Sequence, residues 1–344
     1  MYPLKFTPVY QERIWGGTGL ALEFGRKLPS DRVGESWEIS AHPNGLSRVG
    51  NGPLAGESIP QLIGDFGTAF LGVKAPSQAF ERFPLLIKLL DASEKLSVQV
   101  HPGNAYALEH EGELGKYEIW YILAAKPGAK IVYGLKTGTD KAAFEEALAC
   151  GDLESCLNEV PVKAGEVYAI PPGLVHALGA GIMVAEIQQN SDTVYRVYDY
   201  NRVDQSGKTR ALHLQKALDV IRFDDFLPDH PLAPLPNSRL IDSEFFKTDY
   251  CVTSAADTSV NGTRDDVINE NSTGSEPQKH YYNDGSRFYI LTNLSGKAQL
   301  CSEATAESGR ICLEWERGES LLIPADLTEF AINGSVSFLK TYLP

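Results

Sequence analysis

Gln99, His101, Glu118 and His176 form the group in this chain best suited to chemistry. Leu96, Val98 and Val100 alternate with Ser97, Gln99 and His101. That alternation is a strand signature, because successive side chains point to opposite faces. Gln99 and His101 therefore share a face, and Pro102-Gly103 ends the strand. Glu118 opens a second apolar run, Ile119 to Leu123, and His176 closes the tight turn Pro171-Pro172-Gly173-Leu174-Val175. A lone buried histidine is ordinarily a core residue, and a lone Glu before a strand is ordinarily solvated. Together, two histidines, a carboxylate and an amide at strand ends and turns are the ingredients of a metal site inside a β-barrel.

The elements that must hold these residues are mostly short strands. Residues 1–58 are rich in turns. Ser58 and Pro60 then suit the start of a helix carrying Leu62, Ile63, Phe66 and Phe70. Phe83 to Leu90 is almost wholly apolar but contains Lys88, a charge that either snorkels or functions. Lys130–Gly134, Val167–Ile170, Ile182–Gln189 and Thr193–Tyr200 read as strands, and Thr139–Leu157 as one or two helices. Ala211–Phe223 reads as a helix with Leu212, Ala217, Val220 and Ile221 inward and His213 in solvent. Asp229–Arg239, rich in proline, reads as a linker. All-β sequence resumes at Phe245, and Asn261–Gln278 reads as an exposed loop.

The sequence also repeats itself. Gly165-Glu-Val-Tyr-Ala-Ile-Pro171 recurs as Gly318-Glu-Ser-Leu-Leu-Ile-Pro324, and Trp120-Tyr-Ile-Leu123 as Phe288-Tyr-Ile-Leu291. Two such copies imply two small barrels. By this spacing Ser286 and Glu329 stand where the first copy has Glu118 and His176, so the second barrel lacks these ligands.

Composition sets outer bounds. At 344 residues the chain is long enough for two domains, and its net charge of −14 argues against nucleic acid and anionic membrane as partners. The sequence shows no apolar span and no signal peptide. Five cysteines without a CxxC pair imply no disulfide framework, and a cytoplasmic location fits.

Gln99-Val-His101-Pro, Lys116-Tyr-Glu118, Pro171-Pro-Gly-Leu-Val-His176-Ala and the segment from Glu186 through Asn190-Ser-Asp192 to Arg196 and Asp199 together resemble the type I mannose-6-phosphate isomerases, in their short bacterial form. Arg13-Ile-Trp-Gly-Gly17 and Gly34-Glu-Ser-Trp-Glu-Ile-Ser40 resemble the same family. The resemblance implies a mainly β double cupin: two jelly-roll barrels with short helical segments. The N-terminal catalytic domain would span residues 1–228 and a metal-free C-terminal domain residues 240–344. It implies one Zn²⁺ on Gln99, His101, Glu118 and His176, and an essential arginine at Arg196. One departure is Leu178, where many relatives carry tyrosine.

The implied reaction interconverts mannose 6-phosphate and fructose 6-phosphate through a cis-enediol. Asp192 and Lys116 are the candidates to move the proton, and Arg196 is the candidate to stabilise the enediolate. Lys88, Lys116 and Arg196 are the candidate substrate-binding cations. A monomer or weak homodimer is expected. Two other readings fit parts of the set: a cupin metal-dependent dioxygenase, which the amide ligand Gln99 disfavours, and a non-enzymatic sugar-binding cupin, which the intact ligand set disfavours.

Overall fold

The computed structural model describes residues 1–203, 207–224, 226–253, 278–302 and 310–344. The segment Asn261–Gln278, read above as a loop, lies almost wholly outside them. The chain is mainly β and divides into two compact units. One comprises Tyr10–Trp37 and Leu85–Ala233, the other Met1–Val9, Glu38–Pro84 and Pro234–Pro344. Each unit is therefore assembled from segments distant in sequence. The reason is strand pairing. Leu4 pairs with Leu322, and Phe6 with Val49, which joins the start of the sequence to late strands.

In the unit built from Tyr10–Trp37 and Leu85–Ala233, one sheet runs in the order Val167–Ile170, Glu118–Ala125, Ile182–Gln189, Leu85–Ala92, Val33–Ile39, Val9–Gly17. A second runs Tyr195–Tyr198, Val98–Val100, His176–Leu178, Lys130–Leu135, Leu157–Pro161. The core draws on both. Trp120, Ile122, Tyr168 and Val184 from the first sheet pack with Ile131, Tyr133 and Leu178 from the second. The Tyr133 hydroxyl donates to the Ala169 carbonyl at 2.7 Å, so this large ring is buried with its polar end satisfied. On the second sheet's other face, Val98, Val100, Val175 and Val197 pack against Phe144 and Ala147 of the helix Lys141–Cys150, and against Ala217 of Leu214–Val220.

The Leu214–Val220 helix is shorter than the sequence suggests. Leu212 is exposed, and His213 precedes the helix and accepts the Arg196 backbone N–H at Nδ1, 3.1 Å, rather than standing in solvent. The proline-rich stretch after Asp229 is more than a linker. Leu232 exchanges backbone hydrogen bonds with Val167, and the His230 ring lies 4.6 Å from that of Tyr133.

The other unit holds a nine-stranded sheet among the described residues, with its own core around Trp315, Phe330 and Phe338. The helix Ile59–Phe66 begins where Ser58 and Pro60 imply, and Gln61 completes a capping box. The sequence repeat is a structural one. Val167–Ile170 pairs with Glu118–Tyr121, as Ser320–Ile323 pairs with Tyr289–Thr292. Pairing corrects one correspondence, however. Glu118 stands opposite Ile170, whereas Tyr289, not Ser286, stands opposite Ile323. Glu329 is half-buried beside His280 at 3.6 Å. A disulfide joins Cys301 and Cys312, which face each other on adjacent strands, so the expectation of a chain without such bonds is corrected at this pair.

Close backbone approach explains two adjacent glycines of the Trp-Gly-Gly motif. A methyl group on Gly16 would overlap the Gly34 nitrogen, and one on Gly17 would meet the Ser93 side chain. Gly16→Ala should therefore destabilise the protein by about 2–3 kcal/mol. Gly64, exposed in the helix Ile59–Phe66, has open space at its Cβ, and Gly64→Ala should add about 0.5–1 kcal/mol through helix propensity. Melting curves of the two variants should move in opposite directions.

Candidate metal centre

Three turns converge on one point. Val98–Val100 delivers His101, and Pro102 ends that strand. The Gly173 N–H donates to the His101 carbonyl at 2.9 Å, tying the Pro-Pro-Gly turn to this corner. Gly173 itself sits at φ +86, a conformation that favours glycine. His176 then begins a strand directly opposite Gln99. Glu118 opens the strand opposite Gln188 and Ile170.

His101, Glu118 and His176 are all fully or almost fully buried. Their Nε2 atoms lie 3.1 Å apart, and they stand 3.6 and 3.5 Å from the Glu118 carboxylate oxygens. Bonds of about 2.0–2.1 Å to a tetrahedral ion put donor atoms roughly 3.3–3.4 Å apart, which these separations match. The other ring nitrogens are engaged. His101 Nδ1 faces the Thr193 carbonyl at 3.0 Å and His176 Nδ1 the Leu174 carbonyl at 2.8 Å. A carbonyl can only accept, so each Nδ1 carries the proton and each Nε2 presents a lone pair. Two lone pairs at 3.1 Å beside a carboxylate repel, and a cation offsets this; the Lys116 ammonium, 3.1 Å from His101 Nε2, is one, and the spacing of the three donors also fits a metal ion. The Gln99 amide reaches within 3.4 Å of His176 Nε2; with its oxygen turned inward it would make a fourth donor. Among the described residues, His101, Glu118 and His176 are the group of His, Cys, Asp or Glu side chains close enough to share an ion.

Electrostatics agree with that arrangement. Burial, then the Lys116 ammonium, lowers the His101 pKa to about 3, and burial lowers that of His176, so both rings are neutral as ligands must be. Burial would raise Glu118, but the Lys116 ammonium opposes it and the carboxylate is held well below its usual range. Lys116 Nζ lies 2.5 Å from Glu118 and 3.1 Å from His101 Nε2. Its burial is outweighed by Glu118 and Glu186, which keep it charged.

The centre adjoins a cavity of about 430 Å³. Gln99, Lys116, Asp192, Arg196 and Lys88 all lie on its wall, so the sequence-predicted residues come together. Arg196 pairs in register with Gln99. Its Nε donates to Ser97 Oγ at 3.3 Å and its Nη1 to the Ala211 carbonyl at 2.8 Å, both neutral acceptors.

Sequence reasoning missed Glu35, Glu186, Arg13 and Arg210, which share this wall. Glu186 faces Lys88 across paired strands, and a lone carboxylate within Ile182–Gln189 was the available signal. Lys88 Nζ stands 3.5 Å from Glu35 and 3.8 Å from Glu186. Burial, then Glu118, pushes Glu186 up to about 7 against the pull of Lys116 and Lys88.

Glu35 behaves oppositely. Burial would raise its pKa, but Lys88, Arg13 and the Trp37 indole N–H at 2.7 Å bring it down to about 2. A depressed carboxylate stabilises the fold above its unfolded pKa and loses that contribution as pH falls through the folded value. The drop from 4.5 to about 2 corresponds to roughly 3 kcal/mol. Glu35→Gln should therefore be less stable than the parent above pH 4.5, with the gap closing toward pH 2. Denaturant melts across that window measure it.

The comparisons with known proteins agree with this geometry. A family model described as phosphomannose isomerase type I, catalytic domain, matches residues 3–119. Mannose-6-phosphate isomerase ManA of Bacillus subtilis is 37% identical, with 99% of each chain covered. A mannose-6-phosphate isomerase of Streptococcus mutans is 45% identical over 71% of this chain and 77% of its own. The crystal structure of the mannose 6-phosphate isomerase from Bacillus subtilis superposes with a TM-score of 0.82 at 34% identity, covering 99% of both chains. With full-length relatives above one-third identity, the chain belongs to the type I phosphomannose isomerases and is an isomerase.

Proposed function

We propose that this isomerase interconverts mannose 6-phosphate and fructose 6-phosphate, with one zinc ion held by Gln99, His101, Glu118 and His176. The observation that carries the reading is the pair of Nε2 lone pairs, 3.1 Å apart and beside Glu118, at a cavity walled by Lys116, Asp192 and Arg196. Bound there, zinc supplies a Lewis acid for the sugar's carbonyl and hydroxyl oxygens without redox chemistry. Two neutral imidazoles, one carboxylate and one neutral amide leave that ion a net positive charge.

The chain's own residues do the rest. A base on the wall takes the proton from C2 and returns it to C1; of the two candidates Asp192 fits this role, because Lys116 is held as the charged ammonium by Glu118 and Glu186. The hydroxyl proton lost at O2 is matched by one gained at O1, so the cis-enediol collapses to the ketose with atoms balanced. Arg196 offers a planar guanidinium, already oriented by Ser97 and Ala211, to the oxygens that gain charge. The reading also makes each compact unit a cupin barrel, with the metal in one and none in the other, and places the enzyme in the cytoplasm.

Chelation should abolish turnover and added zinc restore it, with the fold retained, because the ligands lie on strands packed by apolar faces. A coupled assay with circular dichroism tests this; unfolding on chelation would contradict it. Elemental analysis should give close to one zinc per chain.

Arg196→Ala should lower kcat by on the order of 10²–10³ with little change in KM, zinc content or melting temperature. Arg196→Lys should recover little, since an ammonium lacks the planar fork. A near-normal kcat for Arg196→Ala would move the charge-stabilising role to Lys116.

A further inference from the structure

A phosphorylated substrate brings a dianion into this cavity, and the lysines nearest the metal centre are already engaged. Lys88 stands between Glu35 and Glu186, and Lys116 between Glu118 and Glu186. Another part of the wall is different. Asp199, almost fully buried, takes Arg210 in a bidentate pair, Nε to Oδ2 at 2.8 Å and Nη2 to Oδ1 at 2.5 Å. The same carboxylate accepts from Arg202 Nη2 at 2.6 Å. Arg196 lies close enough for its charge to be felt and has only neutral acceptors. Two guanidiniums, Arg202 and Arg210, are thus paired with one carboxylate, which leaves a surplus of one positive charge beside Arg196.

We propose that Arg210 binds the substrate's phosphate and that Asp199 is the positioning residue that holds Arg210 in the cavity wall. This rests on the phosphosugar reading above. Among the described residues, Arg210 uses Nε and Nη2 on Asp199, and Nη1 remains as a donor on a side chain that lines the cavity. A phosphate anion matches the surplus in sign, and a pre-oriented guanidinium suits its oxygens.

The local chain is built to present this group. The backbone turns at Tyr200 and Asn201, both in the left-handed region at φ 56 and 54, closed by the Arg202 N–H to the Asp199 carbonyl at 3.0 Å. Val203 and Thr209 then bridge, returning the chain so that Arg210 comes back beside Asp199. Burial would raise the Asp199 pKa, but Arg210 and Arg202 outweigh it and keep the carboxylate charged.

The test uses the zinc-loaded enzyme, with inorganic phosphate as a competitive probe. Arg210→Ala should raise both the phosphate inhibition constant and the KM for mannose 6-phosphate by about 100-fold, the worth of a charge-assisted pair. Arg210→Lys should recover part of that loss, and melting temperatures should be unchanged, since Arg210 is not core. Asp199→Asn should weaken phosphate inhibition by about 10-fold, and the double variant should be no weaker than Arg210→Ala alone, because Asp199 acts through Arg210. If Arg210→Ala and Arg210→Lys both keep the phosphate constant within threefold of the parent, the proposal is wrong. Additive losses in the double variant would remove the positioning role of Asp199. A parent enzyme that turns over no mannose 6-phosphate, yet loses phosphate affinity on Arg210→Ala, would reject the substrate reading and keep the phosphate subsite.

Discussion

Two neutral imidazole nitrogens pointing their lone pairs at each other across 3.1 Å, with a carboxylate beside them, form the constraint on which the rest of this site depends. Such a cluster is unfavourable by itself. Its members are held together by the Lys116 ammonium against Glu118 and His101, and by backbone geometry: a carbonyl behind each ring, a Pro-Gly turn tied to the next strand, and a pleat that puts Gln99 and His176 opposite one another. The apolar packing of Trp120, Tyr133 and Ile170 supplies the free energy that such convergence costs, and Trp120 stands edge-on to the His176 ring at 5.4 Å. The strands thus carry stability, and the donors they carry stand close enough together to share an ion.

Much of this was legible in the sequence because the ligands sit at strand ends, where alternation and turn residues are informative. Gln99 and His101 were placed on a common face by period-two spacing alone. Val167–Ile170 and Ile182–Gln189 have the bounds that their apolar runs imply. The limits of that reading are also physical. Leu212 lies in an apolar pattern but precedes a helix that starts only at Leu214, because Ala211 and His213 are already committed to hydrogen bonds with Arg196. The Glu118 correspondence in the repeat slipped by three residues, since pairing register is decided between strands and leaves no trace within one.

The charged partners were the least visible. Glu35, Glu186 and Arg210 come from three distant segments, and nothing in any one window shows which charge it will face. Only the pairing of Glu186 with Lys88, and of Asp199 with two arginines, shows which charges offset one another within the cavity wall. Lys88 stands out in the sequence as a charge within an apolar strand, but its carboxylate neighbours cannot be read from the strand itself.

The division of the chain has a consequence for its birth. The segments Tyr10–Trp37 and Leu85–Ala233 are nested within the sequence of the other unit. During vectorial synthesis the metal-binding donors have therefore all left the ribosome before the strand Leu4–Thr7 can meet its partner at Ser320–Ile323. The metal-site unit can mature while the earliest strand still has an unpaired edge, the kind of surface on which nascent chains aggregate. That strand is four residues long and includes Lys5 and a flanking Pro3, features that blunt a waiting edge.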